Sequence, residues 1–160
     1  MRELLLDAAR RAAAYLEGLD ARRVSPAPEA LAGLSRLGET FPAGPSDPAQ
    51  VLRVLDEIGS PASVASAGGR YSGFVIGGSL PAALAANWLA GAWDQEAGLA
   101  VAGPGCAALE SVSLRWLLDA LSLPSERAAG FVTGATMANF TGLAAARHAV
   151  LQERVARATA

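Results

Sequence analysis

One stretch of this chain is equipped by residue type and spacing to hold a charged group: Gly130-Phe131-Val132-Thr133-Gly134-Ala135-Thr136-Met137-Ala138-Asn139. Its pattern predicts a short strand over residues 130–133, a break at Gly134 and a helix from about Thr136 onward. The first N–H groups of a helix have no acceptor inside it, and the helix dipole adds positive potential at the same end. A phosphate fits such a start. Small residues at Gly134 and Ala135 allow close approach to the backbone, and Thr136 adds a hydroxyl donor. The segment is not a P-loop, which ends in Gly-Lys-Ser or Gly-Lys-Thr. A capped helix that binds nothing has the same local pattern, so both readings stand at this point.

Other reactive side chains are few. All thirteen basic residues are arginine, so no lysine amine is present for Schiff-base chemistry. An alanine- and arginine-rich chain without lysine also fits a GC-rich coding sequence. Cys106 is the only cysteine, which excludes an internal disulfide and argues against a cysteine-based zinc site. It reads as a small buried apolar residue. His148, the only histidine, reads as a helix-face or surface residue. Asp94, Glu96 and Glu110 read as capping or loop-bonding carboxylates rather than acid–base catalysts. The pairs Arg10-Arg11 and Arg22-Arg23 read as solvated faces, and Trp88, Trp93 and Trp116, on helical stripes, as core or interface residues.

The elements that position these residues are mostly helical. Leu5, Ala9, Ala12, Leu16 and Leu19 recur at helical spacing and predict an amphipathic helix over residues 2–19, whose apolar face needs a partner. An extended connector follows at residues 24–28, then a short helix over 29–37 stopped by Gly38. Asp47 and Pro48 form a cap-and-first-turn pair, starting a helix that ends near Gly59. Residues 60–78 read as irregular. Ser79 and Pro81 start a helix running to about Trp93, and another covers residues 106–121, closed off by Pro124. A single strand-to-helix unit is too little for a parallel sheet, so the chain reads as the front part of a larger enzyme.

Composition sets outer bounds. At 52% hydrophobic and net charge −2, the chain has enough apolar surface to fold and no basic footprint for nucleic acid. Early acids at Glu3 and Asp7 argue against a secretory signal, and with Glu17 and Asp20 against a mitochondrial presequence, so the cytoplasm is the expected compartment. Residues 71–93 carry no charge over a length that could span a bilayer. Their glycines, Pro81 and Asn87 favour a buried segment of a soluble protein over a membrane helix. A small membrane-associated protein is nonetheless one of three readings of the whole.

Three segments, in order, carry a resemblance to a known family. The stretch Arg70-Tyr71-Ser72-Gly73-Phe74-Val75-Ile76-Gly77-Gly78-Ser79-Leu80-Pro81-Ala82 resembles a segment of the pyridoxal-phosphate-dependent amino-acid decarboxylases of group II, the aromatic-L-amino-acid and glutamate type. Gly103-Pro104-Gly105-Cys106-Ala107-Ala108-Leu109-Glu110, followed by Trp116-Leu117, is similar to that family's Ser-Pro-Ala-x-x-x-Leu-Glu helix start. Gly134-Ala135-Thr136-Met137-Ala138-Asn139, with Ala145-Ala146-Arg147 downstream, resembles its phosphate-loop helix, often Gly-Gly-Ser-x-Ser-Asn.

The resemblance implies a fold type I transferase architecture, of which this chain holds the N-terminal helices and the start of the α/β large domain. It divides the chain into a dimer-packing part, 1–70, and a cofactor-domain part, 71–160. It implies pyridoxal 5'-phosphate held at Gly134, Ala135 and Thr136, a substrate-side loop at Gly73, Phe74, Val75 and Ile76, an amino-acid substrate, and a homodimer without nucleic-acid or membrane partners. No metal is implied. The departures are specific. Gly68-Gly69 replace His-Pro, Thr136 replaces a serine while keeping the hydroxyl, and Gly103 stands where serine is usual. The Schiff-base lysine, the histidine that stacks on the cofactor ring and the aspartate that pairs with its nitrogen have no counterparts in these residues. The expected role is therefore the N-terminal portion of a decarboxylase, inactive alone. The alternative is a non-catalytic helical dimerisation module.

Overall fold

The computed structural model describes residues 1–38 and 40–158, with side chains up to residue 154. The described residues are mostly α-helical and form no strand. They divide into two units, Met1–Leu89 and Ala90–Ala160.

The first unit begins with α1, Arg2–Glu17, which ends where the Gly18 N–H bonds the Ala14 carbonyl. The chain reverses through residues 18–27 into α2, Pro28–Gly33, continued by a tighter 3-10 turn at Leu34–Leu37 and stopped by Gly38 at φ +77. Helix α3, Pro48–Val54, starts as its sequence predicts. The Asp47 carboxylate accepts from the N–H groups of Ala49 at 3.4 Å and Gln50 at 3.2 Å, and Pro48 needs no donor at the first helical position.

Sequence reading ends this helix near Gly59; the structure carries it further. A π-helical turn, Leu55–Gly59, opens the coil, and α4, Ser60–Ala62, follows. The cause lies in Pro61. Its ring would strike the carbonyl four residues back in a regular helix, and it offers no N–H. A widened turn immediately before it relieves both problems. Ser63 then ends the run, its hydroxyl donating to the Gly59 carbonyl at 2.8 Å.

Helix α5, Pro81–Trp93, begins with the Leu84 N–H bonded to the Leu80 carbonyl, so Leu80 occupies the capping position and Ser79 stands one residue too early for it. The expectation that residues 71–93 form a buried segment does not hold. The part before Pro81 is irregular, and α5 buries none of its residues. Among the described residues no helix is long and apolar enough to cross a membrane.

In the second unit, α6 spans Pro104–Ala120, starting two residues earlier than its sequence suggests because Pro104 serves as its first residue. Helix α7 spans Ala135–Ala158; residues 159–160, read with it from sequence, lie outside the described residues. Residues 130–133, expected as a strand, are irregular, because among the described residues no neighbouring segment supplies the ladder that makes a strand.

Burial is sparse. Among the described residues, the buried hydrophobic side chains are Ile58 and Ala65 in the first unit and Leu118 in the second. Trp88, Trp93 and Trp116 are exposed, Trp116 to 72%, so none is a core residue of this chain. Cys106 is half-buried rather than buried, while His148 is exposed as expected.

Candidate cofactor-phosphate site

The helix start predicted from Gly134 is present. Gly134 sits at φ +157 and its carbonyl accepts the Ala138 N–H at 3.0 Å, which makes it the capping residue of α7. Ala135, Thr136 and Met137 then form the first turn, whose N–H groups have no acceptor within the helix. A Cβ on Gly134 would meet nothing, so glycine is favoured there by backbone conformation and not by space. No acid occurs between Arg127 and Gln152, so no neighbouring carboxylate in sequence opposes the positive end of the helix. Thr136 is exposed and its hydroxyl is available as a further donor.

These donors fit a phosphate. They do not supply the amine that anchors the aldehyde end of pyridoxal phosphate, because the chain has no lysine. The described residues therefore match one end of that cofactor. They also contain no cluster of side chains able to hold a metal ion.

The expected substrate-side loop lies in the first unit. Gly73, Phe74, Val75 and Ile76 form a tight turn closed by the Ile76 N–H on the Gly73 carbonyl at 3.1 Å. Both central residues are left-handed, Phe74 at φ 50 and Val75 at φ 57. Such turns ordinarily use asparagine or glycine, and a β-branched residue there is a true outlier. Phe74 and Val75 project almost wholly into solvent. So exposed, they gain little from the other described residues to offset a strain of roughly 1–3 kcal/mol per residue.

The start of the second matched segment, at Gly103, lies against a loop shaped by a carboxylate. Glu96 accepts from the N–H groups of Gly98 at 2.6 Å and Leu99 at 2.7 Å, a loop-bonding role as its sequence context suggests. Gly103 is buried against this loop, and a Cβ there would overlap the Glu96 carbonyl oxygen. That overlap disfavours any side chain at this position, including the serine usual in the resembled family. Asp94, also read as a loop carboxylate, adopts φ +47.

One expectation is overturned outright. Arg11 and Arg22 are not simply solvated. Arg11 bonds Asp7 at 2.9 Å and Asp56 at 2.8 Å, and both bonds, Asp7 first, raise its pKa above the ordinary value. Arg22 lies over the Tyr15 ring, 4.4 Å from its centroid, and donates to the Ser60 carbonyl and hydroxyl. Arg70 donates to the carbonyls of Leu19 and Arg22. The Asp7–Arg11 half of this network is legible in sequence as a pair four residues apart on one helix. The other side-chain hydrogen bonds of the network join residues 38 to 51 positions apart, which no local pattern reveals.

No protein-family model matches the chain, and no solved structure matches it. Over 124 residues it is 28% identical to an aromatic-L-amino-acid decarboxylase of Bacillus atrophaeus, an alignment covering 78% of this chain and 26% of that protein. The chain thus spans about a quarter of the length of the curated relative it matches.

Proposed function

We propose that this chain is the N-terminal portion of a pyridoxal-phosphate-dependent amino-acid decarboxylase, contributing the cofactor-phosphate grip and part of a homodimer interface. The observation that carries the reading is the helix start at Gly134, Ala135 and Thr136, lying where the resembled family binds phosphate, in a chain similar in sequence to an aromatic-amino-acid decarboxylase.

In this reading the N–H groups of Ala135 and Thr136 and the Thr136 hydroxyl hold the phosphate by charge-assisted hydrogen bonds. When bound, the cofactor ring supplies an electron sink for the carbon left when carbon dioxide departs. The chain's own work is to fix one end of that ring. Gly73, Phe74, Val75 and Ile76 border the substrate side, and their strained backbone is offset in the assembled enzyme by contacts that Phe74 and Val75 make there. The amine for the cofactor aldehyde comes from residues outside this sequence. Residues 1–70 pack against a second copy, which accounts for the exposed Leu5, Leu6 and Leu16 of α1.

The absence of lysine favours a second reading, a non-catalytic helical dimerisation module that keeps the same segments for packing.

A direct test uses pyridoxine 5'-phosphate, which lacks the aldehyde and so cannot react with the N-terminal amine. The expected result is binding with amide shifts at Ala135–Met137, weakened about tenfold by Thr136→Ala through loss of one bond to a charged group. Pyridoxine without phosphate should not bind. Equal binding of both compounds overturns the phosphate assignment. Reading the coding frame past Ala160 separates the two functions: a downstream histidine–lysine pair supports the enzyme, and a stop codon supports the module.

A further inference from the structure

A second anion site is suggested by the first unit, independently of the decarboxylase reading. Arg10, Arg11, Tyr15, Arg22, Asp56 and Ser60 border an open recess of about 410 Å³. Three guanidinium groups face one carboxylate along this lining, in a chain whose net charge is −2. Even when Asp7, which shares Arg11, is included, the local balance stays positive.

The positive groups are held, and they keep donors to spare. Tyr15 and Ser60 fix the plane of Arg22 from two sides. Asp7 and Asp56 occupy two of the three nitrogens of Arg11, leaving one Nη free to donate. Arg10 spends only its Nε, on the Leu6 carbonyl at 3.2 Å, so both of its terminal nitrogens remain available. Fixed guanidinium groups lose little further entropy on binding, and their planar forks match the edges of a tetrahedral oxyanion. The π-helical turn at Leu55–Gly59 sets Asp56 and Ser60 on this side of α3–α4, where they hold Arg11 and Arg22.

We propose that this recess binds a phosphate group, free or as a small phosphomonoester, with Arg10 as its main unpaired donor and Arg11 and Arg22 as preset flanking charges. Asp56 orients Arg11, and the three guanidiniums together outweigh its repulsion of an anion.

The test is phenylglyoxal modification of the full chain, read residue by residue by mass spectrometry, in inorganic phosphate or in sodium chloride of equal ionic strength. Phosphate should slow modification of Arg10 about threefold relative to the exposed Arg53, with a smaller effect at Arg22, and chloride should not. Phenyl phosphate in place of inorganic phosphate separates the sources: stronger protection indicates a monoester site, and equal protection a site for the free ion. In Arg10→Gln, which removes a single exposed bond, protection of Arg22 should fall to the level seen in chloride. Uniform slowing of all arginines by phosphate, or unchanged Arg22 protection in Arg10→Gln, overturns the proposal. Thr136→Ala should leave Arg10 protection intact, so failure here and failure at the α7 start are separately visible.

Discussion

Each of the two units has its own kind of side-chain bonding. In Met1–Leu89, arginines reach across long stretches of sequence: Arg11 to Asp56, Arg22 to Ser60, Arg70 to Leu19 and Arg22. A backbone bond from the Ala65 N–H to the Val24 carbonyl, 3.0 Å, adds to them. Between Ala90 and Leu121 the side-chain bonds are all local: Gln95 to Trp93, Glu96 to Gly98 and Leu99, Ser111 to Ala107 and Ser113 to Leu109. Both units bury little apolar surface; polar ties add to the tertiary order of the first, and the second is shaped chiefly by its helices and one glycine-dependent loop. A chain can therefore have well-formed helices with or without a tertiary network, because helical bonds are closed within each element.

The largest test of this contrast is Ile58→Ala. Ile58 is the buried side chain of the π-helical turn, and its truncation should cost about 3 kcal/mol. Hydrogen exchange should report lost protection across α1 and α3 together; loss confined to α3 would show that the long-range ties do not couple them. Next is Gly103→Ala, which forces a Cβ onto the Glu96 carbonyl. A cost of about 2 kcal/mol in urea unfolding is expected, with loss of the Gly98 and Leu99 amide protection that Glu96 provides. An unchanged midpoint would mean the loop opens freely and its local bonding is incidental.

The smallest effects sharpen the comparison most. Arg22→Ala removes a ring contact and two hydrogen bonds that span the first unit, and should cost about 1 kcal/mol. Ser113→Ala removes one hydroxyl bond to a carbonyl already used by α6, and should change stability by less than about 0.5 kcal/mol. Equal costs, measured in the same denaturant series, would erase the distinction between the units.

What was legible in the sequence follows the same division. Helix starts with their own punctuation were readable: Asp47-Pro48, Pro81 and the small-residue turn at Gly134 all mark real first turns, while Pro104 starts its helix two residues before the expected position. The mostly helical class was readable for the same reason. The reach of Arg11, Arg22 and Arg70 was not, since partners dozens of residues away leave no periodic trace. Trp88, Trp93 and Trp116 were read as core or interface residues and are not core, because an apolar stripe reports that a face wants covering and does not say that this chain covers it. Val75 had the opposite problem. Nothing in a valine announces a left-handed backbone, which its own chemistry disfavours.

The widened turn at Leu55–Gly59 also bears on how this chain compares with its relatives. A π turn is what a single inserted residue looks like once a helix has absorbed it without breaking. A relative with a regular helix here would be one residue shorter, and any alignment forced through the region without a gap would pair the wrong faces. Residues paired after the insertion would differ in facing by about 100° around the axis, one residue's share of a helical turn. Ser60 would then be paired with a residue on another face, and the alignment would hide any counterpart of its tie to Arg22.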